Sequence, residues 1–184
     1  TGAEVAARDN RRFTRLMKCA SRRWGPQVGR SRLSYFYLEV MRYADGPSCE
    51  EHVTVVAPPG RVWELVTDIN VAARFSTEFA GAEWLDPGPA VGARFVGRNE
   101  HPALGGWETT SVITTFEPLR EFAWAVTDAE HPSSTWWYVF DDVGDGTVVV
   151  HHGGRMGPAP SGLSIAIEAM PDKEERIVAR RLDE

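Results

Sequence analysis

The sequence has little cysteine: only Cys19 and Cys49 occur among its 184 residues. Two cysteines cannot by themselves form a disulfide framework or a four-ligand zinc site, so we expect reduced thiols in a cytoplasmic protein. No apolar run approaches the roughly 18 residues of a membrane-spanning helix, and the sequence therefore predicts no membrane span. The N-terminal stretch does not show the secretory pattern of a charged start followed by an apolar stretch and a small-residue cleavage site, which again favours the cytoplasm.

Basic residues are scarce in most of the chain. Residues 46–184 contain ten Lys/Arg and twenty-two Asp/Glu, a balance of −12, whereas residues 1–45 have a balance of +6. Because binding to phosphates needs clustered basic side chains, the acidic part is not expected to bind nucleic acid. The basic segment is open to several interpretations: a nucleic-acid or anionic-membrane contact, docking on its own acidic domain, or a solvated extension.

Several motifs of catalysis and cofactor binding are absent. The sequence contains no phosphate-binding glycine loop, no G-x-S-x-G elbow and no Cys/His nucleophile arrangement. His52, His101 and His131 show no ligand spacing. We therefore expect neither a cofactor nor a metal ion.

The chain divides near residue 47 into two parts of different periodicity. Within residues 1–46, apolar residues recur at helical spacing over 13–20 and 33–44, which predicts a basic helical extension. In residues 47–184 the pattern is that of short strands, with one helix beginning at Pro59 and another at Ser161, which reads as its N-cap. Pro171 is expected to kink or restart that last helix. Strands are predicted over 52–56, 82–85, 93–100, 107–116, 121–126, 134–140 and 147–152. Successive strands with helices at the ends indicate an α+β domain.

Several short segments of residues 53–147, taken in their order along the chain, resemble a known superfamily. They are the opening 53–69, then 82–86, 89–99, Trp107, 117–118, 122–124, 135–140 and 146–147. Together they are similar to the START-like (SRPBCC) superfamily, and within it to the polyketide cyclase/dehydrase-like branch. The resemblance implies a helix-grip fold: a curved antiparallel seven-stranded sheet around a C-terminal helix. It also implies a small apolar ligand, such as a lipid or polyketide, and only some members of the superfamily are enzymes.

Strand alternation assigns side chains to an inner face. The predicted cavity is aromatic, with a few hydroxyl and amide groups, which suits a flat apolar ligand; alternatively, these rings only fill the core. Its predicted lining is Phe95, Asn99, Trp107, Ser111, Trp124, Trp136 and Tyr138.

Two adjacent histidines, His151 and His152, must point to opposite faces of one strand. The register favours His151 on the inner side, although the opposite phase is also open. An inward histidine is able to move protons near neutral pH, and the alternative is a satisfied core or rim histidine.

The leading hypothesis is a protein that binds a small apolar or aromatic molecule in an internal cavity. The alternative is a cyclase or dehydratase of polyketide-type intermediates, without metal or cofactor. In that mechanism Asn99, Tyr138 or His151 polarises a carbonyl or moves a proton. The apolar stripe of residues 33–44 needs cover, so the extension is expected to dock on its own domain or on a second copy, giving a monomer or a homodimer.

Overall fold

The computed structural model describes residues 42–102 and 105–183. The helix predicted within residues 13–20 lies outside these residues, and so does the helix predicted over 33–44 apart from its last three residues. The described end of the extension forms a short 3-10 turn, Tyr43–Asp45, which ends at Gly46 in the left-handed region with φ 59°. The division of the chain into an extension 1–46 and a domain 47–184 stays a prediction.

The domain is built on one curled, fully antiparallel sheet in the order β1-β7-β6-β5-β4-β3-β2. Strands β2 to β6 each pair with the next strand along the chain, and β1 pairs with β7 at the end of the sheet. The prediction of an α+β helix-grip fold with seven strands is thereby confirmed. The strands are β1 (Ser48–Val56), β2 (Phe79–Trp84), β3 (Arg94–His101), β4 (Gly105–Glu117), β5 (Glu121–Val126), β6 (Ser134–Gly144) and β7 (Thr147–Met156).

Three helices accompany the sheet: α1 (Pro59–Val66), α2 (Gly162–Ala169) and α3 (Glu174–Asp183). Ser161 caps α2, because its side chain accepts a hydrogen bond from the Ser164 backbone N–H at 3.2 Å. A 3-10 turn at Pro171–Lys173 separates α2 from α3, since a proline cannot continue the preceding helix. Both the N-cap and the interruption at Pro171 agree with the sequence analysis. Among the described residues, no helix is both long and apolar enough to cross a membrane.

The core lies where α1 meets the concave face of the sheet. Val62, Trp63 and Val66 form the buried stripe of α1, and the Trp63 ring lies 5.1 Å from that of Phe140 and 5.5 Å from that of Phe116. The strands contribute buried side chains from the same face: Phe95, Ile113, Phe122, Phe140, Val148 and Val150. Burial of these groups supplies the main driving force for folding.

The link from α1 to β2 is ordered by one amide side chain. Asn70 Nδ2 donates to the Ala82 carbonyl at 3.1 Å, and Asn70 Oδ1 accepts from the Ala82 backbone N–H at 2.8 Å. The sequence predicts an irregular segment between residues 71 and 79. The structure places a 3-10 turn there, Ala72–Arg74, and this amide ties the segment to the sheet.

Tyr43 joins the described end of the extension to the C-terminal region. Its backbone N–H donates to Glu174 Oε1 at 2.8 Å, and its hydroxyl donates to the Ala159 carbonyl at 3.2 Å. These contacts lie beside α2 and α3 of the same chain. They concern Tyr43 itself, and docking of the preceding residues stays a prediction.

One expectation about cysteine is wrong. Cys49, on β1, is disulfide-bonded, whereas the composition suggested reduced thiols. The other cysteine of the chain, Cys19, lies outside the described residues. Reduced cysteines therefore no longer support a cytoplasmic location.

Candidate ligand-binding site on the concave face

Aromatic rings follow one another across the concave face from β2 to β7. We call Trp84, Phe95, Trp124, Tyr138 and His152 the aromatic row. Ring centroids are 5.5 Å apart from Trp84 to Phe95 and 6.4 Å from Phe95 to Trp124. They are 6.0 Å apart from Trp124 to Tyr138 and 4.3 Å from Tyr138 to His152. Because these separations fall within or near the range of favourable ring contacts, the row presents a nearly continuous aromatic surface.

The strand register places the seven predicted cavity residues on this concave face. Phe95 is paired with Ser111 and Asn99 with Trp107, and on the neighbouring strands Trp124 is paired with Trp136. Phe95, Ser111 and Tyr138 are buried. The other four are half-buried and keep some exposed surface: Asn99, Trp107, Trp124 and Trp136. Their role in binding a ligand stays a prediction.

In the structure His152 faces the concave side of β7 and His151 the convex side, the opposite of the favoured prediction. His152 is paired with the concave residue Tyr138 and stacks on its ring, with 19° between the planes. His151 points to the convex face, where Nε2 lies 3.1 Å from Asp141 Oδ2 and Nδ1 lies 3.6 Å from Glu50 Oε1. His151 is therefore not brought together with Asn99 and Tyr138, contrary to the expectation. The alternation of side chains along a strand predicted that the two histidines point to opposite faces, but it did not determine which one faces inward.

His152 is held by the backbone of β6. Its Nδ1 lies 2.9 Å from the Trp137 carbonyl oxygen, and its ring is stacked at 6.0 Å on Trp136 as well as on Tyr138. Burial lowers the pKa of His152 to about 4, and the hydrogen bond to the carbonyl opposes that shift only in part. The imidazole is therefore neutral near pH 7.

Tyr138 is the other polar group in the middle of the row. The residue is only 3% exposed, and burial raises the pKa of its phenol far above the usual 10, because a phenolate loses its hydration in an apolar setting. The hydroxyl therefore stays protonated at any physiological pH.

Glycine makes room for the indole of Trp136 on the concave side. A Cβ atom at Gly154, the residue paired with Trp136, would lie 2.5 Å from atoms of the Trp136 ring. Such a distance is far inside van der Waals contact. Gly154 thus allows the indole to lie flat across β7, close to His152.

An open depression of about 370 Å³ lies at the other end of the sheet, on strands β2 to β4. It includes two of the predicted cavity residues, Asn99 and Trp107, beside the charged side chains of Arg98, Glu100 and Glu108. Phe95, Trp124, Trp136 and Tyr138 are not part of its lining. An enclosed pocket lined by the whole aromatic set stays a prediction.

The convex cluster around His151 does not have the arrangement of a metal site. His52 lies beside it, with 5.5 Å between the two ring centroids, and both carboxylate partners are well exposed. In the part of the chain that the structure describes, no group of three or more His, Cys, Asp or Glu side chains is placed to hold a metal ion.

Two members of the aromatic row were missed in the sequence. Trp84 lies on β2 two residues after Ala82, which is buried. Alternation within that strand therefore places Trp84 on the same inward face as Ala82. His152 was assigned to the outer face because His151 was grouped with Thr147 and Val149. The alternation that faces inward is that of Val148 and Val150, which are buried, and it includes His152.

A curled seven-stranded sheet with an aromatic concave face and C-terminal helices defines a helix-grip protein of the SRPBCC type. Residues 47–182 match the family described as polyketide cyclase / dehydrase and lipid transport. The chain belongs to this family.

Solved structures support the same assignment. The polyketide-cyclase-like protein Cgl2372 from Corynebacterium glutamicum is 32% identical, with a TM-score of 0.53 over 73% of this chain and 80% of that chain. DR_A0006 from Deinococcus radiodurans is 19% identical, with a TM-score of 0.50 over 74% of this chain and 95% of that chain, and this likeness shows the fold alone. No curated protein matches the sequence.

Proposed function

We propose that this protein binds a small, flat, apolar or aromatic molecule along the aromatic row. The observation that supports this proposal is the succession of rings across β2, β3, β5, β6 and β7 on one face of the sheet. Rings offer large apolar area and a preferred stacking geometry, and a ligand with a planar ring system matches both.

The burial pattern separates the rings that build the core from those that are free to meet a ligand. Phe122 is 2% exposed and Tyr138 3%, so both are already covered by the protein. Trp124 and Trp136, which are cross-strand neighbours, are only half-buried. A ligand lying on these two indoles would remove apolar area from water, which favours binding by about 25 cal/mol per Å².

Calorimetric titration with 2-methoxynaphthalene, a small planar probe, tests the proposal. We expect saturable binding, and we expect Trp124→Ala to weaken it about tenfold, because the variant loses both stacking and buried area. Trp137→Ala is the matched control: Trp137 is a half-buried indole on the convex face and its loss should leave the affinity unchanged. Absence of saturable binding, or equal weakening by both variants, would contradict the proposal.

The alternative function is a cyclase or dehydratase acting on polyketide-type intermediates. It is favoured by the contact of a protonated phenol, Tyr138, with a neutral imidazole, His152, on an apolar face. Such a face would fold a flexible chain and position its carbonyls. His151 has no part in this mechanism because it lies on the convex face, so Asn99 and Tyr138 are the remaining predicted groups.

Turnover of a poly-β-keto thioester analogue separates the two functions. If the protein is an enzyme, Tyr138→Phe or Asn99→Ala should lower the rate about 100-fold while the fold persists, as loss of a general acid or base usually does. Wild-type protein that binds the analogue without converting it would leave binding as the function.

A further inference from the structure

The hydrogen bond of His152 determines which of its ring nitrogens carries the proton. A backbone carbonyl oxygen has no hydrogen and can only accept, so Nδ1, at 2.9 Å from the Trp137 oxygen, must be the donor. A neutral imidazole has one N–H, and the ring is neutral because burial lowers its pKa to about 4. Nε2 is therefore a bare acceptor with a free lone pair.

This lone pair has no partner among the described residues. No hydrogen bond or ion pair joins Nε2 to any of them, and the hydrogen bond of the ring is made by Nδ1. Among the described side chains, none has a polar atom that is both fully buried and unpartnered, so Nε2 keeps some exposed surface. Glu51, the register partner of His152 on β1, makes no ion pair with it in the described part of the chain.

The surroundings of this acceptor are aromatic. The Tyr138 ring lies at 4.3 Å and the Trp136 ring at 6.0 Å, both nearly parallel to the imidazole. The lone pair of Nε2 lies in the plane of the imidazole, so a planar ligand in the aromatic row would meet it with a group on the ligand's edge, at the edge of the His152 ring and not above its face. An acceptor beside an apolar stack favours a ligand hydroxyl and disfavours an ether, carbonyl or carboxylate, because two acceptors that face each other leave both without a donor.

We propose that His152 determines specificity: its Nε2 accepts a hydrogen bond from the hydroxyl of a phenolic or enolic ligand whose ring lies along the aromatic row. This inference rests on the proposed function and adds the chemical class of the ligand. It makes His152 a specificity-determining residue, and it requires no proton transfer.

Two probes that differ in one group test the inference. 2-Naphthol has a hydroxyl donor, whereas 2-methoxynaphthalene has the same rings and only an acceptor. We expect wild-type protein to bind 2-naphthol about tenfold more tightly in calorimetric titrations at pH 7. His152→Phe keeps an aromatic ring without the acceptor and should bind both probes alike. His151→Phe, on the convex face, is the matched control and should keep the tenfold preference.

The outcomes separate this inference from the proposed function. If neither probe binds to wild-type protein, the proposed function fails. If both bind with equal affinity, or if His152→Phe keeps the preference, binding on the concave face stands and the role of His152 is overturned.

A second measurement does not depend on the folding of a variant. In wild-type protein labelled with ¹⁵N-histidine, saturation with 2-naphthol should shift the Nε2 resonance of His152 towards that of a hydrogen-bonded nitrogen. The methoxy compound should leave this resonance in place. A resonance that stays unchanged with 2-naphthol at saturation would overturn the inference.

Discussion

The two faces of strands β6 and β7 place neighbouring residues in opposite environments. On the concave face, His152 is stacked on Tyr138 and Trp136. On the convex face, His151 lies between the carboxylates of Glu50 and Asp141. One peptide bond separates the two imidazoles, yet one is neutral in an aromatic stack and the other is a surface group with ionic partners. The chemistry of each histidine is thus decided by the face, since residue type and sequence neighbourhood are nearly the same.

The same contrast holds for the hydrophobic residues of β6. Phe140 is 6% exposed on the concave face, where it contacts Trp63, whereas Val139 is half-buried on the convex face. The difference indicates that the concave face provides most of the stability, while the convex face of these strands is largely surface.

The largest expected effect is on the free energy of unfolding. Phe140→Ala should lower it by about 3–5 kcal/mol, because a buried ring is removed and a cavity is left. Val139→Ala, one residue away, should cost less than about 1 kcal/mol, since the side chain is already partly in water. Urea denaturation of both variants measures the difference, and equal losses would show that the two faces contribute alike.

A smaller effect is expected from pH. The pKa of His152 is about 4 in the folded protein against a usual 6.5, so the unfolded chain binds the proton more tightly. The stabilising contribution of His152 to the free energy of unfolding is therefore present above pH 6.5 and is lost as the pH falls towards 4. Between pH 6.5 and pH 5 the free energy of unfolding should fall by about 2 kcal/mol.

Paired variants isolate this effect from other titrating groups. Thermal and urea unfolding at pH 6.5 and pH 5 should show the fall in wild-type protein and in His151→Gln. In His152→Phe, the fall should be smaller by about 2 kcal/mol. An unaltered pH dependence in His152→Phe would mean that the imidazole is hydrated in the folded state.

The smallest effect is expected on the convex face. Asp141→Asn removes the 3.1 Å contact with His151 Nε2, and the Asp141 side chain is 62% exposed. Exposed polar contacts of this kind contribute about 0–1 kcal/mol, so the loss should be below about 1 kcal/mol. A loss as large as that of Phe140→Ala would show that the convex cluster is structural.

Most of the strand arrangement could be predicted from local pattern. Alternation over residues 121–126 predicted β5 with the bounds that the structure shows, and Pro171 indicated the break between α2 and α3. The prediction was less complete at strand ends. β7 runs four residues past its predicted end and β1 begins four residues earlier than predicted, because Gly153 and Gly154 have weak strand propensity and pairing with β1 extends the ladder there.

By itself the sequence determined the class of fold, most of the inward aromatic residues and the divergence of the two histidines, because a strand has a period of two residues. Only the tertiary structure decided which histidine faces inward. Whether β7 presents His151 or His152 to the concave side depends on its register against β6, where Tyr138 meets His152. The low pKa of His152 and its free Nε2 likewise follow from burial and from the carbonyl of Trp137 on the next strand. These are contacts between strands, so they are set by the packing of the sheet and not by the order of residues within β7.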